Sequence, residues 1–279
     1  MALTPGPVTF WYGCNMTRHG EMIRTAARLL ETLGIDVAPA GGPSHCCGTP
    51  KDSSARIHGG MARRTMEVFN ASRHETVVTW CPSCHLNMQD SMVPVTPARF
   101  GMEHISETIH ARLGSLRPLL QRPVRRRVML HAHLGFEQRV PVSRLVTDIL
   151  GCVPELELIE TTMRVPGHMC SALAVMPGAL ANAHRESLAA LSKTGADTLC
   201  TIHHSCHRDL VTLERHGVAV LNWMHLLAES LGWPAEDTYK ALRNADDPRA
   251  EVSAHQLEAV GEAAFTDLLE PELRKLPPA

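Results

Sequence analysis

The feature of this sequence that most constrains its fold is an internal repeat. Three segments of the first half recur in the second half in the same order: residues 76–87 at 198–209, residues 43–47 at 166–170, and residues 8–15 at 128–135. The offsets of the three matches are nearly equal, as expected when one structural unit has been copied along a chain. The sequence therefore predicts two similar lobes.

Strand-like and helix-like segments alternate within each half. The predicted strands of the first half are residues 8–12, 35–38 and 76–80, and the predicted helices are 19–33, 55–72 and one that begins at Pro82. The second half repeats this alternation between residues 128 and 232. Such alternation predicts an α/β fold with mostly parallel strands, in which the loops at the carboxyl ends of the strands carry the chemistry.

Changes in composition predict where the lobes end. The polar run Gln121–Arg127 is a candidate joint, so we predict an N-terminal lobe over residues 1–122 and a C-terminal lobe over residues 123–234. Residues 235–279 are rich in charged residues, alanine and leucine with helical periodicity, which predicts a helical C-terminal tail. This tail packs either on its own lobe or on a partner subunit, and the sequence favours the first arrangement.

Composition argues against several classes of protein. Hydrophobic residues make up 44% of the 279 residues, which is enough for a substantial core. Lys plus Arg total 27 and Asp plus Glu total 29, so the chain lacks the basic surplus that nucleic acid attracts. No apolar run approaches the roughly 20 residues of a membrane helix, and the first ten residues do not have the pattern of an export signal. We therefore expect a cytoplasmic protein without a transmembrane segment.

Cysteine and histidine are unusually frequent, with nine and 17 residues. The number of cysteines is odd and the chain is too long to need disulfide staples, so we expect the thiols to be ligands or redox groups. Five of them follow predicted strands of the first half: Cys14, Cys46, Cys47, Cys81 and Cys84. Because loops at one edge of a parallel sheet converge, these sulfurs are expected to meet, and several metal ions or a multi-iron cluster would neutralise them.

Simpler interpretations apply to some of the cysteines. A lone buried thiol often packs as a small hydrophobic group, and we expect this of Cys152 and Cys200. A Cys-x-x-Cys pair beside alternating strands and helices is also typical of a thioredoxin-like dithiol. Applied to Cys81 and Cys84, that interpretation leaves the other three cysteines of the first half without a role.

The order Cys14, Cys46–Cys47–Gly48, Cys81–Pro82–Ser83–Cys84 resembles the cysteine-rich CCG domain found in heterodisulfide reductase and its relatives. With the repeat, the resemblance covers about residues 8 to 235. The relatives include subunits of sulfur-oxidising complexes and of glycolate, lactate and succinate oxidising systems. The resemblance implies that the five cysteines hold a non-cubane 4Fe–4S cluster. In the family, two such clusters face each other and split a disulfide.

The second half departs from this motif. In place of the motif cysteines it offers Ala132, Met169, Cys170, His203 and Cys206. Two thiols with histidine suit a tetrahedral zinc site or a mixed-ligand iron–sulfur cluster, for which the candidate ligands are Cys170, His203, Cys206 and His133. Alternatively the lobe binds no metal, or its thiols are redox groups facing a cleft between the lobes. The histidines beside motif positions either support ligands or pack in the core: His45, His85, His204 and His207.

The resemblance implies an oxidoreductase, namely the iron–sulfur subunit of a heterodisulfide-reductase-like complex. Its substrate would be a disulfide, thiol or persulfide on a small molecule or carrier protein. One cluster transfers electrons singly, and the chain has no complete Gly-x-Gly-x-x-Gly for a dinucleotide, so a flavin or iron–sulfur partner is expected. The alternative is a non-catalytic electron-transfer or zinc-stabilised scaffolding subunit of a larger dehydrogenase complex. A brown, iron-containing protein supports the first hypothesis and a colourless zinc protein supports the second.

Overall fold

The computed structural model describes residues 6–48, 54–161 and 163–274. These residues form two four-stranded sheets with parallel pairing, and the strand orders are β2–β1–β3–β4 and β6–β5–β7–β8. The strands are β1 Val8–Gly13, β2 Val37–Gly41, β3 Thr76–Thr79, β4 Gly101–His104, β5 Arg126–His131, β6 Leu156–Ile159, β7 Thr198–Thr201 and β8 Ala219–Asn222. The predicted α/β fold with two similar lobes is confirmed.

Helices connect the strands, as parallel pairing requires. The first lobe contains α1 Gly20–Thr32, α2 Ala55–Ala71, α3 Pro82–Asn87, α4 Ile105–His110 and α5 Leu113–Leu116. The second contains α6 Leu134–Glu137, α7 Val142–Leu150, α8 Cys170–Leu173, α9 Ala179–Thr194, α10 His204–Leu210 and α11 Trp223–Leu231. The tail contains α12 Thr238–Asn244, α13 Pro248–Glu251, α14 Ala254–Val260, α15 Glu262–Ala264 and α16 Glu270–Leu273. Four 3-10 segments (Asn15–Arg18, Pro43–His45, Arg117–Leu119, Val211–His216) and two π-helical segments (Met88–Met92, Phe265–Leu269) complete the described helical structure.

Helix α1 illustrates how the local sequence specifies these elements. Its side chains Met22, Ala26, Leu29 and Leu30 recur at helical spacing, and all four are fully buried. Gly34 follows the helix with a φ of +80°, a left-handed conformation that glycine adopts without steric cost. The chain can therefore turn directly from α1 toward β2.

The pairing registers of the two sheets correspond. Val8 of β1 pairs with Thr76 of β3, and Val128 of β5 pairs with Thr198 of β7. Thr76 and Thr198 are the first residues of their strands and occupy matching positions in the repeat. Residue 128 is therefore the structural counterpart of residue 8.

The two lobes share a hydrophobic core. Helix α1 packs on α11 of the second lobe, and α7 packs on α4 of the first. Helices α1 and α7 occupy equivalent positions in the two lobes, and so do α4 and α11. The two contacts are therefore equivalent, as expected of a pseudo-symmetric pair of lobes. The buried rings of Trp80 and Trp223 stack across the junction with centroids 5.9 Å apart. Such a pair contributes about 0.5–1.5 kcal/mol beyond its buried area.

The described part of the tail packs against both lobes. Arg18 of the first lobe forms an ion pair with Glu272, with an N–O distance of 2.6 Å. Asp237 contacts His207 of the second lobe, and Phe265 is buried. The tail thus contacts the first lobe as well as its own, which the sequence did not predict.

The sequence-based description of the joint needs correction. Arg126 and Arg127 belong to β5, where they pair with Glu229 and Glu157 through side chains that are partly exposed. The polar run is therefore partly strand, and the lobe boundary near residue 122 stays a prediction. Within the described ranges, no helix is long and apolar enough to cross a membrane.

Candidate metal centres

Five cysteines of the first lobe converge at the carboxyl edge of its sheet. Cys14 follows β1, Cys46 and Cys47 follow β2, and Cys81 and Cys84 lie at the start of α3 after β3. The sulfurs of Cys14 and Cys46 are 3.4 Å apart, and those of Cys47 and Cys84 are 3.7 Å apart. The three strands are neighbours in the sheet, which brings residues distant in sequence together. The expected convergence is present, and the ligand role of these cysteines stays a proposal.

Hydrogen bonds among the thiols perturb their acidities. The hydrogen bond between the Cys14 and Cys46 sulfurs lowers the pKa of Cys46 to about 2 and raises that of Cys14. Hydrogen bonding with Cys84 similarly lowers the pKa of Cys81. The bonds from Cys84 to Cys47 and Cys81 raise the pKa of Cys84 well above its usual range. Soft sulfur donors this close together fit an iron–sulfur cluster, because its cations can replace the shared protons.

Gly13 leaves room for these sulfurs. Its φ is +79°, and a Cβ at this position would lie 3.1 Å from the Cys84 sulfur. Any side chain here would therefore press on a candidate ligand while also straining the backbone.

We expect Gly13→Ala to lower iron content, and Gly34→Ala provides a matched control. Gly34 has a φ of +80°, but no described atom lies within 4 Å of a Cβ built there. Both variants should lose about 1–2 kcal/mol of unfolding free energy because of the left-handed backbone. Only Gly13→Ala should also lose iron, measured by elemental analysis after anaerobic purification. Equal iron in the two variants would contradict the expectation.

A cavity of about 420 Å³ lies between four of the five cysteines and the second lobe. Its lining includes Cys14, Cys47, Cys81, Cys84, His168, Ala172 and His204. Ser83 and His168 join the two sides through a hydrogen bond of 2.7 Å. Neither ring nitrogen of buried His204 has a hydrogen-bond partner among the described residues, and burial lowers its pKa to about 3. The volume suits a small molecule or the end of a larger one.

Four donor side chains meet in the second lobe. They are His131, His133, Cys170 and Cys206, all buried, with donor atoms within 4.8 Å of one another. The Cys170 sulfur lies 3.2 Å from Nε2 of His131 and 3.5 Å from Nε2 of His133. The backbone N–H of Cys170 donates to the Cys206 sulfur at 3.4 Å. Two thiols and two imidazoles are a common donor set for tetrahedral zinc.

Hydrogen bonds orient both imidazoles toward the sulfurs. Nδ1 of His133 lies 3.0 Å from the Pro166 carbonyl, which requires a proton on Nδ1 and leaves the Nε2 lone pair free. The Ser187 hydroxyl donates to a backbone carbonyl, and its oxygen lies 3.5 Å from Nδ1 of His131. Because the Ser187 oxygen is then available as an acceptor, His131 also favours the tautomer with its proton on Nδ1. Partners of this kind commonly orient the histidines of metal sites.

The charges in this group are also suited to metal binding. Burial opposes ionisation of Cys206, but the hydrogen bond from Cys170 and the charge of His133 hold its pKa well below the usual range. Burial likewise opposes a charge on His133, but the Cys206 thiolate raises its pKa, so the Nε2 proton of this ion pair would leave His133 when a metal ion binds. A thiolate is the form of cysteine that binds metals.

Comparison with known proteins supports the interpretation of the first lobe. Residues 8–89 match the model of the cysteine-rich domain family called CCG. The matched segment is called the CCG domain below, after the family that it resembles. The five converging cysteines all lie within this matched segment.

Two curated relatives of the chain are uncharacterized iron–sulfur proteins. The one from Methanococcus maripaludis is 27% identical over 244 residues, which are 79% of this chain and 46% of that protein. The one from Methanocaldococcus jannaschii is 24% identical over 165 residues, which are 57% of this chain and 32% of that protein. The chain therefore spans less than half the length of each relative.

The second lobe differs from the CCG domain at the edge of its sheet. By strand register, the counterpart of Cys14 is Leu134 and not Ala132, and Leu134 is 53% exposed. His133 is the counterpart of Gly13. Where the CCG domain leaves space for a sulfur, the second lobe therefore places an imidazole.

The structure groups His131, and not His203, with the other three donors of the second lobe. His203 instead packs against the rings of His104 and Phe136, and burial lowers its pKa to about 3. The sequence-based choice relied on the match between His203 and Cys81 of the CCG domain. The signal for His131 was its two-residue spacing from His133, which puts both side chains on one face of an extended segment.

Several other residues have contacts typical of structural roles. Nδ1 of His85 lies 2.8 Å from the Thr79 hydroxyl, and this contact orients its buried ring. Cys200 is fully buried in the core, where burial raises its pKa, as expected of a thiol that packs as a hydrophobic group. The ring of His45 stacks on Phe69, with centroids 5.9 Å apart.

Proposed function

We propose that this chain is an iron–sulfur redox subunit of a heterodisulfide-reductase-like complex, acting on disulfide, thiol or persulfide sulfur. In this proposal Cys14, Cys46, Cys47, Cys81 and Cys84 hold a non-cubane 4Fe–4S cluster. The observation that carries it is the cavity, because four of these five cysteines line it opposite polar groups of the second lobe. The CCG domain and the iron–sulfur relatives support the choice of cofactor.

The cluster would supply a sulfur-binding metal centre that exchanges one electron at a time. Reduction of a disulfide breaks one S–S bond and consumes two electrons and two protons to give two thiols. The chain's own residues would position the substrate and handle the protons. Ser83 and His168 already share a hydrogen bond beside the cysteines, and His204 offers an imidazole without a hydrogen-bond partner among the described residues.

A partner protein would supply the electrons. One cluster does not readily deliver two electrons together. Sustained turnover would therefore need a flavin or iron–sulfur protein that reduces the cluster again after each electron transfer. With only a chemical reductant, the isolated chain should therefore show little sustained turnover. Robust disulfide reduction under those conditions would count against the partner requirement.

The zinc-like donor set of the second lobe favours a second candidate function, a zinc-stabilised electron-transfer or scaffolding subunit. In that case the first lobe would not bind substrate sulfur in the cavity. The two functions can be distinguished by whether a disulfide perturbs the iron-loaded chain.

We expect Ala172→Trp to block the cavity without displacing iron. Ala172 lines the cavity opposite the cysteines, whereas Ala174, two residues later, is exposed and does not line it. The probe is glutathione disulfide, added anaerobically to the reduced, iron-loaded chain while its visible absorption is followed. For Ala172→Trp, the disulfide concentration that produces half of the spectral change should be about tenfold higher or more. A tenfold change corresponds to a loss of about 1.4 kcal/mol of binding free energy.

The control variant Ala174→Trp should behave like the unmodified chain, and iron content should be equal in all three proteins. A response that Ala172→Trp leaves unchanged would place disulfide binding outside the cavity. No response in the unmodified chain would favour the scaffolding function.

A further inference from the structure

Three titratable side chains meet where the two lobes and the tail join. His19 precedes α1, His207 lies in α10, and Asp237 precedes α12. Their donor atoms all lie within 4.8 Å of one another. Both histidine side chains are fully buried, and the Asp237 side chain is 8% exposed. This junction cluster shares no residue with the five cysteines or with the four donors of the second lobe, although His207 directly follows Cys206 in the sequence.

His19 is the first unusual member of the junction cluster. Neither of its ring nitrogens has a hydrogen-bond partner among the described residues. Its nearest charged neighbour is Glu21, whose carboxylate oxygen is 3.9 Å from Nδ1. Buried polar groups normally have partners, and leaving one unpaired costs about 1–3 kcal/mol. The lone pair and the N–H group of His19 are therefore both available to a ligand.

His207 and Asp237 face each other in a way that calls for a cation. The Thr201 hydroxyl donates to the Leu221 carbonyl, and its oxygen lies 3.4 Å from Nδ1 of His207. While Thr201 donates to Leu221, its oxygen accepts from Nδ1, so a neutral His207 in that arrangement has its proton on Nδ1 and its lone pair on Nε2. That lone pair points at Oδ2 of Asp237 from 2.5 Å. At this distance the two atoms share a proton, and a metal ion would replace that proton once the side chains move apart to the separation of tetrahedral ligands, about 3.3 Å.

The other oxygen of Asp237 is already engaged. Oδ1 accepts a hydrogen bond of 3.0 Å from the backbone N–H of Lys240, which caps α12. This bond holds the carboxylate in place and leaves Oδ2 for the cluster. A shared proton would satisfy His207 and Asp237 but would leave His19 without a partner, whereas a metal ion can use all three donors.

Two further side chains border the junction cluster. Nδ1 of His225 accepts a hydrogen bond from the backbone N–H of Asn222, so the proton of a neutral His225 is on Nε2, which faces Glu21 at 3.4 Å. His225 is therefore engaged as a donor to Glu21. Glu21, His225 and Asp237 also line a cavity of about 420 Å³, which offers a route for an ion and for a water ligand.

We propose that His19, His207 and Asp237 bind one divalent metal ion of the zinc class. Two imidazoles and one carboxylate are a known zinc ligand set, and a fourth position would remain for water from the cavity. The ion would fasten the tail to both lobes, because each ligand comes from a different one of these three parts. The site contains no sulfur, which separates it chemically from the two cysteine-containing centres.

The test compares metal content in His19→Gln and Asp237→Asn with that in His110→Gln. His110 is a suitable control because it also pairs with an aspartate, Asp148 at 2.9 Å, but on a partly exposed surface. Each full-length protein is purified anaerobically, treated with a chelator, reloaded with zinc and analysed for zinc and iron. Both cluster variants should lose about one zinc equivalent and keep their iron, while the control keeps both. Unchanged zinc in the two cluster variants would overturn the proposal.

A second measurement does not depend on how well those variants fold. Zinc X-ray absorption of Cys206→Ala should show a shell of nitrogen and oxygen at about 2.0–2.1 Å and no sulfur at about 2.3 Å. Absence of zinc from that protein, or sulfur as the main neighbour, would overturn the junction site. Iron content is recorded in parallel, so failure of the proposed cluster in the first lobe is recognised separately.

Discussion

Replacing Cys84 with alanine is expected to abolish iron incorporation almost completely. The Cys84 sulfur contacts that of Cys47 at 3.7 Å, and the alanine side chain offers no donor atom that could replace it as a cluster ligand. Because ligand binding is coupled to folding, the variant should also unfold at a lower temperature than the iron-loaded chain. Cys81→Ala should behave in the same way. Iron analysis and anaerobic thermal unfolding measure the two effects.

Cys200→Ala is the matched control for this experiment. Cys200 is equally buried but lies in the hydrophobic core and not at the sheet edge. Its truncation should cost about 1–2 kcal/mol through a small cavity and leave the iron in place. Full iron content in both Cys81→Ala and Cys84→Ala would refute the cluster assignment.

In the second lobe, His131→Ala should remove about one metal equivalent, as Cys206→Ala should, while His203→Ala keeps it. The reason is geometric, since Nε2 of His131 lies 3.2 Å from the Cys170 sulfur and is oriented by Ser187. His203 is a demanding control because it is equally buried and adjoins the ring of His133. Zinc and iron are measured together, and the iron of the first lobe should stay constant.

The opposite pattern, with metal lost from His203→Ala and kept in His131→Ala, would restore the ligand set predicted from the sequence. If none of these variants loses metal, the two remaining alternatives are a metal-free lobe and redox thiols at the cleft. Alkylation then separates them. A reagent that labels Cys206 in the native protein supports the redox alternative, and an unreactive Cys206 supports a lobe that is only structural.

The repeat and the alternation of strands and helices were sufficient to predict the architecture. Strands β1 and β3 contain short runs of buried β-branched and aromatic residues, which made them recognisable. Strand β4, with the sequence GMEH, has one large apolar residue and lies at the edge of its sheet. Such a strand forms because β3 offers it a partner, and no local pattern marks it.

The convergence of the five cysteines was predictable because it depends only on strand order and loop position. The second lobe was harder, because its donors changed type and shifted along the strand. Aligning motif with motif pointed to His203, whereas the structure places His131 beside the other three candidate donors. The junction cluster was not predictable, since it brings together His19, His207 and Asp237, and nothing in the repeat relates the tail to the lobes.

The core that the lobes share has a consequence for how a substrate reaches the sulfurs. Helices α1, α4, α7 and α11 fill the space between the sheets together with the two stacked tryptophans. A hinge motion that widened the cleft would expose this apolar surface to water, at about 25 cal/mol for each square ångström. We therefore expect the entrance to keep a fixed width. Sulfur compounds would then be selected by the thickness and length of the arm that carries the sulfur, with the bulk of a carrier protein left outside.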